Sequence, residues 1–231
     1  MKRPKKIAII GAGGITCALA QNLALDHEMV IVDGDVYEPH NSTRQFPAMS
    51  KEAINANKAE YLTQQLQKQF PGGKFEHIPK YLKRLELLNN KKFFDAELIF
   101  CAVDNNESRL LTCDLAEAME VPAILMGNET KSADAHLFIP GVYHPFEHHD
   151  FGEFTRAPFA CNSDQNPAAE QTSRANFWAA SLGLHIYSSY LELDDYKFMV
   201  VKSSLDTRGD SSRQRLNDFG EPAFDIPSKA A

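Results

Sequence analysis

No C-x-x-C pair occurs in this 231-residue chain, whose four cysteines, Cys17, Cys101, Cys113 and Cys161, stand singly. That excludes a tetracysteine zinc site. No long apolar run follows the basic start Met1 to Lys6. The stretch Ile7 to Ile10 is too short for a signal-peptide core or a membrane span. The expectation is a reducing, cytoplasmic setting with no membrane. Positive charge is not in excess either. Lys and Arg number 24 against 31 Asp and Glu, a formal net charge of −7, which argues against general nucleic-acid binding. Internal repeats and low-complexity blocks are also missing. What remains is an ordinary globular balance, 43% hydrophobic and 24% charged, in a length that suits one large α/β domain or two small ones.

Lys6 to Ile10 is a β-branched run that stops at Gly11, and it reads as a buried parallel strand. Ile15 to Ala24 has helical spacing, and Met29 to Val32 is a second strand ending at Asp33. A polar loop over 34–52 leads to a helix predicted from Lys51 to Phe70, stopped by Pro71-Gly72-Gly73. Further strands are expected at Phe75 to Ile78, Glu97 to Val103, Pro122 to Met126 and Ala133 to Ile139, with helices at Leu82 to Phe94 and Glu107 to Met119. The alternation predicts an α/β fold: a Rossmann-like, doubly wound, mostly parallel sheet with helices on both faces. Pro140 to Pro167 reads as a long loop. Ala168 to Leu193 is a long helix whose wide apolar face suits packing under the sheet or at a dimer seam, and Tyr196 to Val201 is a last strand. The expected division is one domain over 1–202 and a polar tail over 203–231.

Gly11, Gly13 and Gly14 form a glycine turn between the first strand and its helix. Gly11 permits the tight turn, Gly13 lets a phosphate approach the backbone, and the helix N-terminus offers free N–H groups. A turn without a ligand is the plain alternative. A third glycine of the dinucleotide pattern would fall at position 16, where the chain has Thr16. Asp33 lies 22 residues after Gly11 at a strand end, where an acid bonds a ribose hydroxyl or caps a loop. Asp35 is a second binding acid, or simply an acid at a loop start. Asn41, Arg44 and Gln45 follow. Arg makes forked contacts with phosphate, and Asn and Gln add neutral donors. Lys58 falls on one stripe with Ile54, Leu62 and Leu66 at four-residue spacing, so it either snorkels or points into a pocket.

Asp104, with Asn105 and Arg109, ends the most apolar strand, where α/β sheets place their sites. It can hold Mg²⁺ against nucleotide phosphates, or cap the next helix. Cys161, with Arg156 upstream, is either a thiolate nucleophile or an inert thiol. Cys17, Cys101 and Cys113 read as small buried residues. His144, His148 and His149 could bind a metal with an acid such as Asp150, but without a second ligand cluster they read as surface loop residues.

Together Gly11-Ala12-Gly13-Gly14, Asp33-Gly34-Asp35, Asn41-x-x-Arg44-Gln45, Lys58 and Asp104-Asn105 resemble the E1-like activating enzymes, the ThiF/MoeB/HesA superfamily. The likeness runs from about residue 5 to 200, tightest over 7–58 and 97–128. The short form is most similar to compact ThiF-like proteins of the PRTRC type. The resemblance implies ATP- and Mg²⁺-dependent adenylation of the C-terminal glycine carboxylate of a small ubiquitin-like or sulfur-carrier protein, by a homodimer. It implies that Asp33 holds the ribose, that Asn41, Arg44, Gln45 and Lys58 bind the phosphates, and that Asp104 assists Mg²⁺. Cys161 falls near the family's thioester or persulfide cysteine, with unfamiliar flanks. The family's arginine on a helix before the first strand is missing here or replaced by Lys2, Arg3 or Lys5. Two other readings stay open: a non-catalytic nucleotide-binding scaffold that pairs with an active subunit, and a nicotinamide-dependent oxidoreductase.

Overall fold

The structure, a computed structural model, describes residues 3–81, 84–128, 132–149, 172–192, 200–204 and 215–216. Its centre is a sheet in the order β3-β2-β1-β4-β5-β6-β7-β8. Five strands run parallel: β1 (Lys6–Ile10), β2 (Glu28–Val32), β3 (Phe75–Ile78), β4 (Leu98–Cys101) and β5 (Ala123–Asn128). The remaining three, β6 (Ser132–Phe138), β7 (Val200–Ser204) and β8 (Arg215–Leu216), add on antiparallel. β7 crosses the position where the polar tail is expected to begin, and β8 lies within that tail.

The parallel strands read as unbroken apolar runs because both faces are covered. Ile7 and Ile9 point into one core with Met29, Ile31 and Phe100, against α1 (Gly14–Leu23), α2 (Lys58–Gln69) and α7 (Ser173–Glu192). Ala8 and Ile10 point the other way, with Val30, Val32, Ile99 and Cys101, toward α5 (Asn106–Met119) and the short helices α3 (Arg84–Leu88) and α4 (Lys91–Phe94). Phe177 of α7 stays exposed, while the helix packs on β5, β6 and α1. Leu182, Ile186 and Tyr187 are buried there, each contributing about 1.5–3 kcal/mol by leaving water.

Two expected helices are corrected. The helix predicted from Lys51 begins only at Lys58. Asn55 adopts φ 69, which breaks a helix there. Residues 54 and 57 bridge instead to Tyr37 and Val36. Ile54 therefore shares no helical stripe with Lys58, whereas Leu62 and Leu66 are buried as expected. The helix predicted over 82–94 is two short pieces, because the Asn90 side chain accepts the Lys92 N–H at 3.0 Å and starts α4 anew. Within the expected loop from Pro140, Pro145–His148 forms one turn of helix, α6. Among the described residues no helix is long and apolar enough to cross a membrane.

Candidate functional site

The carboxyl ends of β1, β2, β4 and β5 bring together the glycine turn, Asp33, Asp104 and Asn128. Gly11 takes φ +91, and a Cβ there would lie 2.6 Å from the Ala102 carbonyl oxygen. Only glycine satisfies both constraints. Thr16, where the dinucleotide pattern has glycine, is fully buried and donates its hydroxyl to the Gly11 carbonyl at 2.6 Å. Its side chain closes the turn. Gly13 offers α1 no side-chain cap.

Asp33 is half-buried at the end of β2. Its Oδ2 accepts the Ala12 N–H at 2.6 Å and its Oδ1 the Asp35 N–H at 2.8 Å. Burial raises the Asp33 carboxyl above the usual range, against the pull of those two N–H bonds and of Lys58. The expected ribose acid thus also ties β2 to the glycine turn.

Lys58 is set in place from its own helix end. Asn57 caps α2, accepting the Glu60 N–H at 3.0 Å, while its Nδ2 donates to the carbonyls of Asp33 at 2.9 Å and Asp35 at 3.0 Å. The Lys58 ammonium meets Asp35 Oδ2 at 3.2 Å. The other Asp35 oxygen accepts the Tyr81 hydroxyl at 2.7 Å, a bond that pushes the Tyr81 phenol up to about 12. Sequence reasoning missed Asn57 and Tyr81. Asn57 carried a signal, since Asn followed three residues later by Glu60 is a helix-start pattern.

Asn41 is 3% exposed and organises the next segment. Its Oδ1 accepts the Glu38 N–H at 3.0 Å, and its carbonyl accepts the N–H groups of Arg44 at 3.1 Å and Gln45 at 2.8 Å. Asn41 thereby shapes the turn that presents the next two side chains. Gln45 is buried beside the glycine turn, where a Cβ on Gly13 would lie 4.0 Å from its Nε2. Arg44 lines a cavity of about 440 Å³ with Gly14, Gln21, Phe46, Asn176 and Phe177.

Asp104 is exposed beyond β4. The residue that caps α5 is Asn105, whose Oδ1 accepts the Ser108 N–H at 2.8 Å. Arg109, one turn along, lies with its guanidinium 3.4 Å from Asn106 Oδ1. The sheet edge thus gathers the glycine turn, Asp33, Asp35, Gln45 and Lys58 closely, with Arg44 beside α1 and Asp104 one strand over.

Cys161, Arg156 and Asp150 lie outside the described residues. Cys17, Cys101 and Cys113 are buried free thiols as expected, and burial pushes Cys17 up to about 12. His148 stacks on Tyr143, and His149 Nε2 lies 2.8 Å from its hydroxyl. Among the described residues no three His, Cys, Asp or Glu side chains group to hold a metal ion. Asp104 is an exposed carboxylate at this edge, and Mg²⁺ is commonly held by one carboxylate plus the phosphates of a substrate.

Comparison with known proteins places likeness over most of the chain. The model of the ThiF family matches residues 3–187. The SUMO-activating enzyme subunit uba-2 of Caenorhabditis elegans is 32% identical over 128 residues, 53% of this chain and 21% of that protein. The NEDD8-activating enzyme E1 catalytic subunit of Schizosaccharomyces pombe is 25% identical over 149 residues, 62% of this chain and 33% of that protein. This chain spans a third or less of the length of these two relatives. The crystal structure of E. coli MccB with MccA-N7isoASN superposes at TM-score 0.72 and 18% identity, covering 96% of this chain and 67% of that one. At that identity the likeness is one of fold.

Proposed function

The chain belongs to the ThiF family, and from that membership we propose that it binds ATP at the glycine turn and adenylates the C-terminal carboxylate of a small ubiquitin-like or sulfur-carrier protein. The observation that carries this reading is the gathering of Asp33, Lys58 and Gln45 around one glycine turn, with Arg44 on the adjoining segment. These residues reach the turn from three separate stretches of chain.

In this reading Asp33 accepts a ribose hydroxyl on lone pairs that its two backbone bonds leave over. The N–H groups at the start of α1 and the side chains of Asn41, Arg44, Gln45 and Lys58 hold the phosphates. Asp35 acts on Lys58, fixing its ammonium. The acceptor's carboxylate oxygen attacks the α-phosphorus. The bond from that phosphorus to the oxygen bridging to the β-phosphate breaks, and pyrophosphate leaves with the electron pair. No protein nucleophile takes part. The chain positions both reactants and offsets the charge that grows on the phosphate oxygens. Asp104 would hold Mg²⁺, which when bound would supply charge neutralisation for the phosphates. Cys161 is proposed for a later step, in which its thiolate attacks the activated acyl carbon and AMP departs.

ATP–pyrophosphate exchange with candidate acceptor proteins tests this. Exchange that depends on the acceptor and is lost in Arg44→Ala and Asp104→Ala supports the reading. ATP bound without exchange for any acceptor replaces it with a scaffold role. Tight NADH binding in place of ATP replaces it with an oxidoreductase. Cys161→Ala retaining exchange but forming no acid-stable thioester assigns the later step.

A further inference from the structure

The Asn176 side chain, in the first turn of α7, is 2% exposed and lies between three parts of the site. Its Nδ2 donates to the Arg44 carbonyl at 3.1 Å, across 132 residues of chain. Its Oδ1 accepts from Asn128 Nδ2, at the end of β5, at 2.9 Å. A Cβ on Gly14 would overlap the same amide, so the start of α1 is pressed against it.

The orientation follows from chemistry. A carbonyl only accepts, so the amide nitrogen of Asn176 must face Arg44 and its oxygen must face Asn128. Aspartate offers no donor, alanine no reach, and glutamine needs room that α1 occupies. The start of α7 adds a second tie, because Ser173 Oγ donates to the Thr43 carbonyl at 3.3 Å. Thr172 anchors the helix end itself, its hydroxyl accepting the Ala175 N–H at 3.1 Å.

We propose that Asn176 is a positioning residue of the nucleotide site, holding the 41–45 turn at a fixed distance from the glycine turn and so aiming Arg44 and Gln45 at phosphate. This rests on the ATP-binding reading above. Asn176 acts through the Arg44 backbone, whose N–H is in turn held by Asn41. The phosphate grip is therefore set from a helix more than a hundred residues downstream.

Asn176→Asp in the whole chain tests this, because it keeps size and acceptor while removing the donor. Without nucleotide, amide hydrogen exchange at Arg44 and Gln45 should quicken about tenfold, the worth of one hydrogen bond. By calorimetry, ATP affinity should fall about tenfold while adenosine affinity stays the same. A general loss of structure would weaken both ligands. Unchanged exchange at residues 44 and 45, or equal loss for adenosine and ATP, overturns the proposal. Should Asn176→Asp fail to fold, Asn128→Ala removes the group that orients the amide and is read by the same two measurements. If the wild type binds no ATP, the adenylation reading falls, and the exchange rates alone decide whether Asn176 holds the turn.

Discussion

The Lys58 ammonium and the Asp35 carboxylate meet at 3.2 Å, with the lysine side chain only 13% exposed and the aspartate 50%. A largely desolvated cation beside a half-exposed acid can be drawn toward a second anion without losing the first. Lys58→Met should lower ATP affinity by about 10–100-fold, the worth of one charge-assisted hydrogen bond. Its melting temperature should stay near the wild type, because the Asn57 cap that starts α2 is untouched. Equal ATP affinity in calorimetry removes Lys58 from the phosphate site.

Gly14→Ala and Gly72→Ala form a matched pair. The first places a Cβ onto Asn176, while the second meets nothing within 4 Å. Overpacking at residue 14 should cost about 1–3 kcal/mol of unfolding free energy. The change at residue 72 should be small. Urea denaturation of both variants reads the difference, and equal midpoints would mean that Asn176 yields freely.

His27 ties the far edge of the sheet. Its Nδ1 lies 2.8 Å from the Pro4 carbonyl and its Nε2 3.0 Å from the Tyr187 hydroxyl. The carbonyl accepts only, so Nδ1 carries the hydrogen and neutral Nε2 accepts. Burial lowers the His27 pKa, and the nearby Arg3 lowers it further. The unfolded chain then binds the proton more readily, so His27 contributes stability above its unfolded pKa of about 6.5 that is lost as pH falls below it. The drop in melting temperature between neutral pH and pH 5 should be smaller in His27→Gln than in the wild type. Identical pH profiles would remove His27 as the cause.

Burial keeps Cys17, Cys101 and Cys113 protonated, each raised mainly by desolvation. Iodoacetamide at pH 8 should label none of the three in the native chain and all three in urea, as peptide mapping would report. Native labelling at any of them would show the core opening at that strand or helix.

Much of this fold could be read from the chain because its strands are covered on both faces. Ile7 to Ile10, Met29 to Val32 and Leu98 to Cys101 are continuous apolar runs, each closed by a small or acidic residue near its end. The Gly11 turn and Asp33 were legible for the same reason, since spacing along strand, turn and helix fixes them in three dimensions. The start of α2 was not legible. Lys51 to Phe70 has uniform helical composition, and only the left-handed conformation of Asn55 together with the Asn57 cap delays the helix. Asn176 carried no signal at all. Its role comes from contacts with Arg44 and Asn128, which are remote in sequence and leave no periodic trace.

The close approach of Gly11 to the Ala102 carbonyl has a practical result for anyone reshaping this protein. The first loop and the end of the fourth strand form a mated pair, like two halves of a hinge plate. A segment transplanted from a relative into one of them keeps its geometry only if the other is transplanted with it.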